Sequence, residues 1–130
     1  MALSKEELLA KLTDLPVTVV DDPDLGEVRL RMMTAKDRDE FENSLFKVTD
    51  AGTVESTGND RAQLLARCIV DDDNQRLFTG AEVEQLGAGR ADIIARLYSH
   101  AQKMNRIGPG AEAEAKGNSD AAPSGDSSSD

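Results

Sequence analysis

Apolar positions recur along this chain at two different spacings, and these spacings divide it into helical and extended segments. Near the start, Ser4 and Glu7 are arranged as a capping box, whose hydroxyl and carboxylate satisfy free amides at a helix N-terminus. Three apolar residues then share one helical face: Leu8, Leu9 and Leu12. The pattern predicts a short helix that ends before Pro16.

From Val17 to Met32 the spacing of apolar residues changes to two, on either side of a stretch that contains Pro23 and Gly26. Such alternation is typical of half-buried strands, and Pro and Gly between two strands are typical of a turn. We therefore predict an N-terminal β-hairpin. The side chains expected to face inward are Val28, Leu30 and Met32. The charged outer face, which should discourage edge-to-edge pairing, consists of Glu27, Arg29 and Arg31.

Four further helices are predicted, because capping residues precede apolar positions at three- and four-residue spacing. Thr34, Asp60 and Thr79 are the predicted caps, and the last helix, over residues 90–106, has the most regular pattern. The side chains expected on the buried faces are Phe41, Leu45, Phe46, Leu64, Leu65, Cys68, Ile69, Val83, Leu86, Ile93, Ile94, Leu97, Tyr98, Ala101 and Met104. Residues 48–58 are rich in Thr, Gly and Ser, have no period, and are predicted to form a loop.

The composition changes at Gly108, after which only Gly, Pro, Ala, Ser, Asn, Lys, Glu and Asp occur. Residues 108–130 carry five acidic residues and one lysine, a net charge of −4, and have nothing to bury against a core. We predict a disordered acidic tail over this range. The predicted fold class is therefore mainly α (α+β): a small helical domain with an N-terminal β-hairpin over residues 1–107, followed by the tail.

The chain has a formal net charge of −10, and nearly every Arg or Lys has an acidic neighbour. Binding to nucleic acid requires a basic patch that displaces counterions from phosphates, and anionic membranes repel an acidic surface. The single cysteine, Cys68, suits a reducing compartment, and neither a secretion signal nor an apolar run of membrane-spanning length is present. We expect no nucleic-acid or membrane partner and a cytoplasmic location.

One segment has the outline of a calcium loop. Counted from Asp71, oxygen ligands occupy loop positions one, three, five and twelve, as in an EF-hand, and the twelfth is Glu82. The sixth position, which needs Gly for its sharp turn, is Arg76, and Gln75 replaces the usual acid. A helix-to-helix turn explains the segment better, and an EF-hand-like regulatory module stays as an alternative. An acidic DNA-mimic or antirestriction protein is a second alternative, which the interspersed basic residues disfavour.

Catalytic chemistry finds no pattern in this sequence. His100 lies on the polar flank of the last helix, and Cys68 lies on an apolar seam that is typical of a buried, unreactive thiol. We expect no enzymatic activity, no cofactor and no metal site. The apolar stripe of the last helix predicts either core packing or a partner-binding edge. The candidate partner-binding residues are Ile94, Leu97, Tyr98, Met104 and Ile107.

Four segments in order resemble the tail assembly chaperones of long-tailed phages and prophages. The segments are LRMMTAKDRDEFE at residues 30–42, RAQLLARCIVDDD at 61–73, RLFT at 76–79 and IIARLYSHAQKMN at 93–105. The resemblance spans residues 17–107. Two positions depart from the pattern, since Asn74 stands where the family often has Gly and Gly80 where an acid is common.

This resemblance implies a small helper protein with no active site. Members of the family are thought to coat the long, aggregation-prone, helical tape measure protein in the host cytoplasm. They recruit tail tube subunits around it and leave before the virion matures, and many have a longer form made by ribosomal frameshifting. For this chain we accordingly expect the tape measure protein and the tail tube protein as partners, with self-association into a homo-oligomer as a further possibility.

Overall fold

A computed structural model of the chain describes residues 1–107, so the predicted acidic tail over residues 108–130 lies outside the described residues. Five α-helices and five strands follow one another within that range. They are α1 (Lys5–Leu12), β1 (Val17–Asp22), β2 (Gly26–Arg31), α2 (Ala35–Ser44), β3 (Phe46–Val48), β4 (Val54–Ser56), α3 (Asp60–Cys68), β5 (Ile69–Val70), α4 (Val83–Gly87) and α5 (Ala91–Asn105). A single 3₁₀ turn, Gly80–Glu82, leads into α4. The predicted mainly α (α+β) class is confirmed.

Strands β1 and β2 form the predicted hairpin, with a register that runs from Val17 opposite Arg31 to Asp22 opposite Gly26. The sheet has a third strand, because β5 pairs antiparallel with the other side of β2. Strand β2 is therefore central, and the expectation that its charges protect an exposed edge was wrong. Arg29 and Arg31 are half-buried and bind the turn that follows β5.

The core lies between this sheet and helices α2, α3 and α5. Leu30, Leu64, Leu65 and Cys68 are its largest fully buried side chains. Val28 and Met32, which were also predicted to face inward, are only half-buried, because β2 ends at Arg31 and the chain then turns into α2. Helix α5 packs on α3, which makes the most regular sequence pattern the central support of the fold.

The capping residues act largely as predicted. Complete capping boxes form at Ser4 with Glu7, at Thr34 with Asp37 and at Thr79 with Glu82. Helix α3 differs, because its N-cap is Asn59 rather than Asp60, in a left-handed conformation with φ of 57°. Asn is one of the few non-glycine residues that adopts this conformation readily.

The segment predicted as a loop contains a second hairpin, made of β3 and β4. Phe46 opposes Ser56 in its register, and Val48 opposes Val54. Because side chains alternate along a strand, the three apolar residues share one face. That face is exposed, so the expected burial of Phe46 was wrong. Strands of three residues are too short to produce a readable period.

Helix α1 forms as predicted, but its apolar face is left open. None of its residues is buried, and no other element packs extensively against it. The exposed fraction of its leucine residues ranges from 46% at Leu8 to 64% at Leu12. The helix is therefore an appendage, joined to the hairpin by the short linker of residues 13–16.

Candidate protein-binding groove

An apolar groove of about 600 Å³ opens between the three-stranded sheet and helices α4 and α5. Its floor is made of core side chains, among them Ile69, Ile93 and Leu97. Two leucines, Leu25 and Leu77, stand at its border with more than half of their surface exposed. A concave, mostly apolar surface of this size is typical of binding sites, and we call it the groove.

Each wall of the groove is positioned by a local feature of the sequence. The α5 wall carries Ile94, which follows the three- and four-residue spacing of that helix. The opposite wall is Leu77 and Phe78, held because the Leu77 amide donates to the Ile69 carbonyl at 3.1 Å. Leu86, one residue before the end of α4, closes the third side.

The charges at the rim of the groove are unevenly satisfied. Arg29 donates to the side-chain oxygen of Asn74 at 2.7 Å, and Arg90 donates to Asp92 at 2.6 Å. The hydrogen bonds from Arg90 hold the pKa of the Asp92 carboxyl below its usual value. By contrast, Glu27 and Asp72 are exposed and pair with no cation within residues 1–107. The rim therefore offers unpaired negative charge.

The turn at residues 71–75, which has the outline of a calcium loop, serves the fold instead. The Asp71 carboxylate accepts hydrogen bonds from the amides of Asp73 and Gln75 at 2.8 and 3.0 Å. The Glu82 carboxylate, at the twelfth position, accepts from the Thr79 amide at 2.8 Å. Within residues 1–107 no three His, Cys, Asp or Glu side chains are grouped so that they could hold a metal ion.

Two basic residues explain why this turn differs from an EF-hand loop. Arg76 points back to the carbonyl of Ala66 in α3, to which it donates at 3.1 Å. Asn74 takes the left-handed conformation, with φ of 62°, and its carbonyl accepts from Arg31 at 2.7 Å. A positive φ accounts for a position where Gly is common in the family that the sequence resembles. The turn therefore fixes β5 to the central strand.

The five residues predicted to bind a partner are spread along α5 and its C-terminal end. Ile94 and Leu97 line the groove, although Leu97 is 97% buried and forms part of the core. Tyr98 lies beside a second cavity of about 500 Å³, where the guanidinium of Arg61 sits 5.6 Å from its ring centroid. Met104 and Ile107 are half-buried and pack against the core at the other end of the helix. Their role in partner binding stays a prediction.

A buried ion pair fixes α5 against the hairpin and so sets the width of the groove. The Asp22 side chain accepts from Arg96 Nε at 2.8 Å and from its Nη2 at 3.2 Å. The same carboxylate also accepts the amides of Asp24 and Leu25 in the hairpin turn. Hydrogen bonds from Arg96 lower the pKa of Asp22 to about 2, so the carboxylate is charged at neutral pH.

A second polar contact anchors the end of α5. Asn105 is buried, and its side-chain oxygen accepts from the Met33 amide at 2.9 Å. Its side-chain nitrogen donates to the Ala101 carbonyl at 2.8 Å and to the sulfur of Cys68 at 3.4 Å. Burial raises the pKa of the Cys68 thiol to about 11, and the other residue considered for chemistry, His100, is exposed and distant in sequence.

Sequence reasoning missed the sides of the groove that do not belong to α5. Leu25 lies in the hairpin turn and Leu77 in an irregular segment, so neither follows a helical or strand period. The available signal was the occurrence of large apolar residues at positions where turns usually carry polar ones. No helix within residues 1–107 is long and apolar enough to cross a lipid bilayer.

Among solved structures, the fold is similar to that of the tail assembly chaperone of bacteriophage HK97. The TM-score is 0.55 at 20% sequence identity, and the match covers 77% of this chain and 94% of that chain. Comparison with protein-family models finds no match, and comparison with curated proteins finds none either. The chain has a tail assembly chaperone-like fold, which confirms the fold implied by the sequence resemblance.

Proposed function

We propose that this chain is a phage tail assembly chaperone without enzymatic activity, which binds the tape measure protein in the host cytoplasm. The observation that carries the proposal is the exposed apolar groove on a tail assembly chaperone-like fold. In the proposed cycle the protein recruits tail tube subunits to the covered tape measure protein. It then leaves before the virion matures.

The groove suits a helical client for a physical reason. An amphipathic helix binds by placing its apolar face into a concave apolar surface, with residues three and four apart as anchors. The bordering residues Leu25 and Leu77 would cover such a helix on two sides, while Ile94 would contact it from α5. An extended helical client in water aggregates through the same face, so covering that face keeps it soluble.

The charge of the chain supports the reversibility of the proposed complex. A net charge of −10 makes copies of the chaperone, and the client segments that they cover, repel one another. Within the groove the binding surface is apolar and the unpaired rim charges Glu27 and Asp72 are exposed. The client is therefore expected to carry basic residues beside its apolar face.

Co-expression with the tape measure and tail tube proteins of the same genome tests the proposal. We expect the tagged full chain to retain the tape measure protein, and the tail tube protein to be retained when the tape measure protein is present. Leu77→Glu should weaken retention about tenfold or more, because burying a leucine side chain contributes about 1.5–3 kcal/mol.

Val48→Glu is the matched control, since Val48 is exposed, lies outside the groove and receives the same added charge. This variant should retain the client as the wild type does. Retention of neither phage protein by the wild-type chain would contradict the proposal, as would detection of the chain in purified mature virions.

A further inference from the structure

The N-terminal helix presents an apolar face that no part of residues 1–107 covers. An isolated helix shorter than about 12–15 residues is marginal in water, and α1 has only eight residues. Its capping box satisfies the first amides, but a cap does not bury the leucines. Helix α1 therefore has the composition of a segment that is stabilised by docking.

The charges of α1 complement those of the groove. At 100° per residue, Lys5 falls between Leu9 and Leu12 on the apolar face, and Lys11 falls beside Leu8. The acidic residues of the helix, Glu6 and Glu7, point away from the centre of this face. An apolar face bordered by lysines thus matches an apolar groove whose rim carries the unpaired Glu27 and Asp72.

We propose that helix α1 of one copy of this chain docks into the groove of a second copy. Within a single chain no α1 residue lines the groove, although both surfaces are apolar and exposed. The linker of residues 13–16 spans at most about 14 Å, which keeps α1 close to its own β1 but free to extend outward. The contact joins two different surfaces, so it generates rings or open chains of copies, or a dimer when the exchange is reciprocal.

This inference rests on α1 and the groove and does not depend on the proposed function. If the groove also binds a helical client, α1 and the client compete for one surface. Self-association would then cover the groove until a client displaces α1. The substitution Leu12→Glu separates the two ideas, because it damages α1 and leaves the groove intact.

The test measures the mass of the full chain over a range of concentrations by light scattering after size exclusion. The wild type should form complexes that grow with concentration, whereas Leu12→Glu and Leu77→Glu should each stay monomeric at the same concentrations. Leu12 and Leu77 are exposed by 64% and 54%, so both variants should fold, which circular dichroism and thermal unfolding can verify. Val48→Glu, with the same charge change at an equally exposed site, should associate like the wild type.

Mixing the two monomeric variants gives the decisive result. The Leu77→Glu chain retains an intact α1 and the Leu12→Glu chain retains an intact groove, so a 1:1 mixture should form a two-chain complex. A mixture that stays monomeric would overturn the proposal, because contacts between two α1 helices or between two grooves would not be rescued. A wild-type chain that stays monomeric at every concentration, or a Leu12→Glu variant that associates like the wild type, would overturn it as well.

Discussion

Arg96 in the last helix donates two hydrogen bonds to the buried carboxylate of Asp22, which lies 74 residues earlier at the end of the first strand. This pair connects the hairpin to α5, and the groove lies between these elements. Because the paired carboxylate is charged, the connection depends on pH. The relationship gives the first of four predictions.

Folding stability should decrease as the pH falls from about 4 to about 2, in part because Asp22 becomes protonated. Its pKa is about 2 in the folded protein against an ordinary value of 3.8, so the unfolded chain binds the proton first. The contribution of the pair is therefore fully present above about pH 4 and is lost as the pH falls through about 2. Urea denaturation at several pH values measures it.

The substitution Asp22→Asn isolates this contribution from other carboxylates. The stability difference between the wild type and Asp22→Asn should be largest near neutral pH and should shrink below pH 4. Asp21→Asn, at the exposed neighbouring position, is the control and should follow the wild-type pH profile. A difference between wild type and Asp22→Asn that stays constant down to pH 2 would contradict the role given to the pair.

The second prediction concerns Asn105. Asn105→Ala should lower the free energy of unfolding by about 1–3 kcal/mol, because it removes the acceptor of the buried Met33 amide. The midpoint of urea denaturation measures the change. Lys103→Ala, an exposed substitution on the same helix, should alter it by no more than about 0.5 kcal/mol. Equal effects of the two substitutions would show that the amide does not depend on Asn105.

The third prediction concerns the only thiol of the chain. A pKa of about 11 lowers the thiolate fraction of Cys68 at neutral pH about a hundredfold relative to an ordinary thiol, and burial blocks access as well. Iodoacetamide should therefore label the native protein very slowly and the urea-unfolded protein at the rate of a free cysteine. Native labelling as fast as that of the unfolded chain would contradict the burial of Cys68.

Local sequence signals predicted the elements that are fixed by local interactions. The capping boxes at Ser4 and Thr34 depend on residues three apart, and the α5 stripe depends on one helix alone. The hairpin β1–β2 likewise follows from alternation around a turn. The pairing of β5 with Leu30 and Arg29 was not predicted, because a two-residue strand has no period and its partner lies about forty residues away.

The candidate groove was only partly predictable for a related reason. Ile94 and Leu97 were identified because they belong to a periodic helix, whereas Leu25 and Leu77 lie in turns that the fold brings together. Similarly, nothing local distinguishes the buried Asp22 from the exposed Asp21, because only the distant Arg96 makes its burial favourable. The site is therefore a product of tertiary structure more than of any motif.

The most direct measurement of the central claim is the light scattering of an isolated tape measure fragment with and without this chain. The fourth prediction is that an equimolar amount of the wild type, or of Val48→Glu, keeps the fragment in solution, while Leu77→Glu allows scattering to rise. Suppression by Leu77→Glu equal to that of the wild type, or a rise in scattering that the wild type does not slow, would contradict a chaperone that works through the groove.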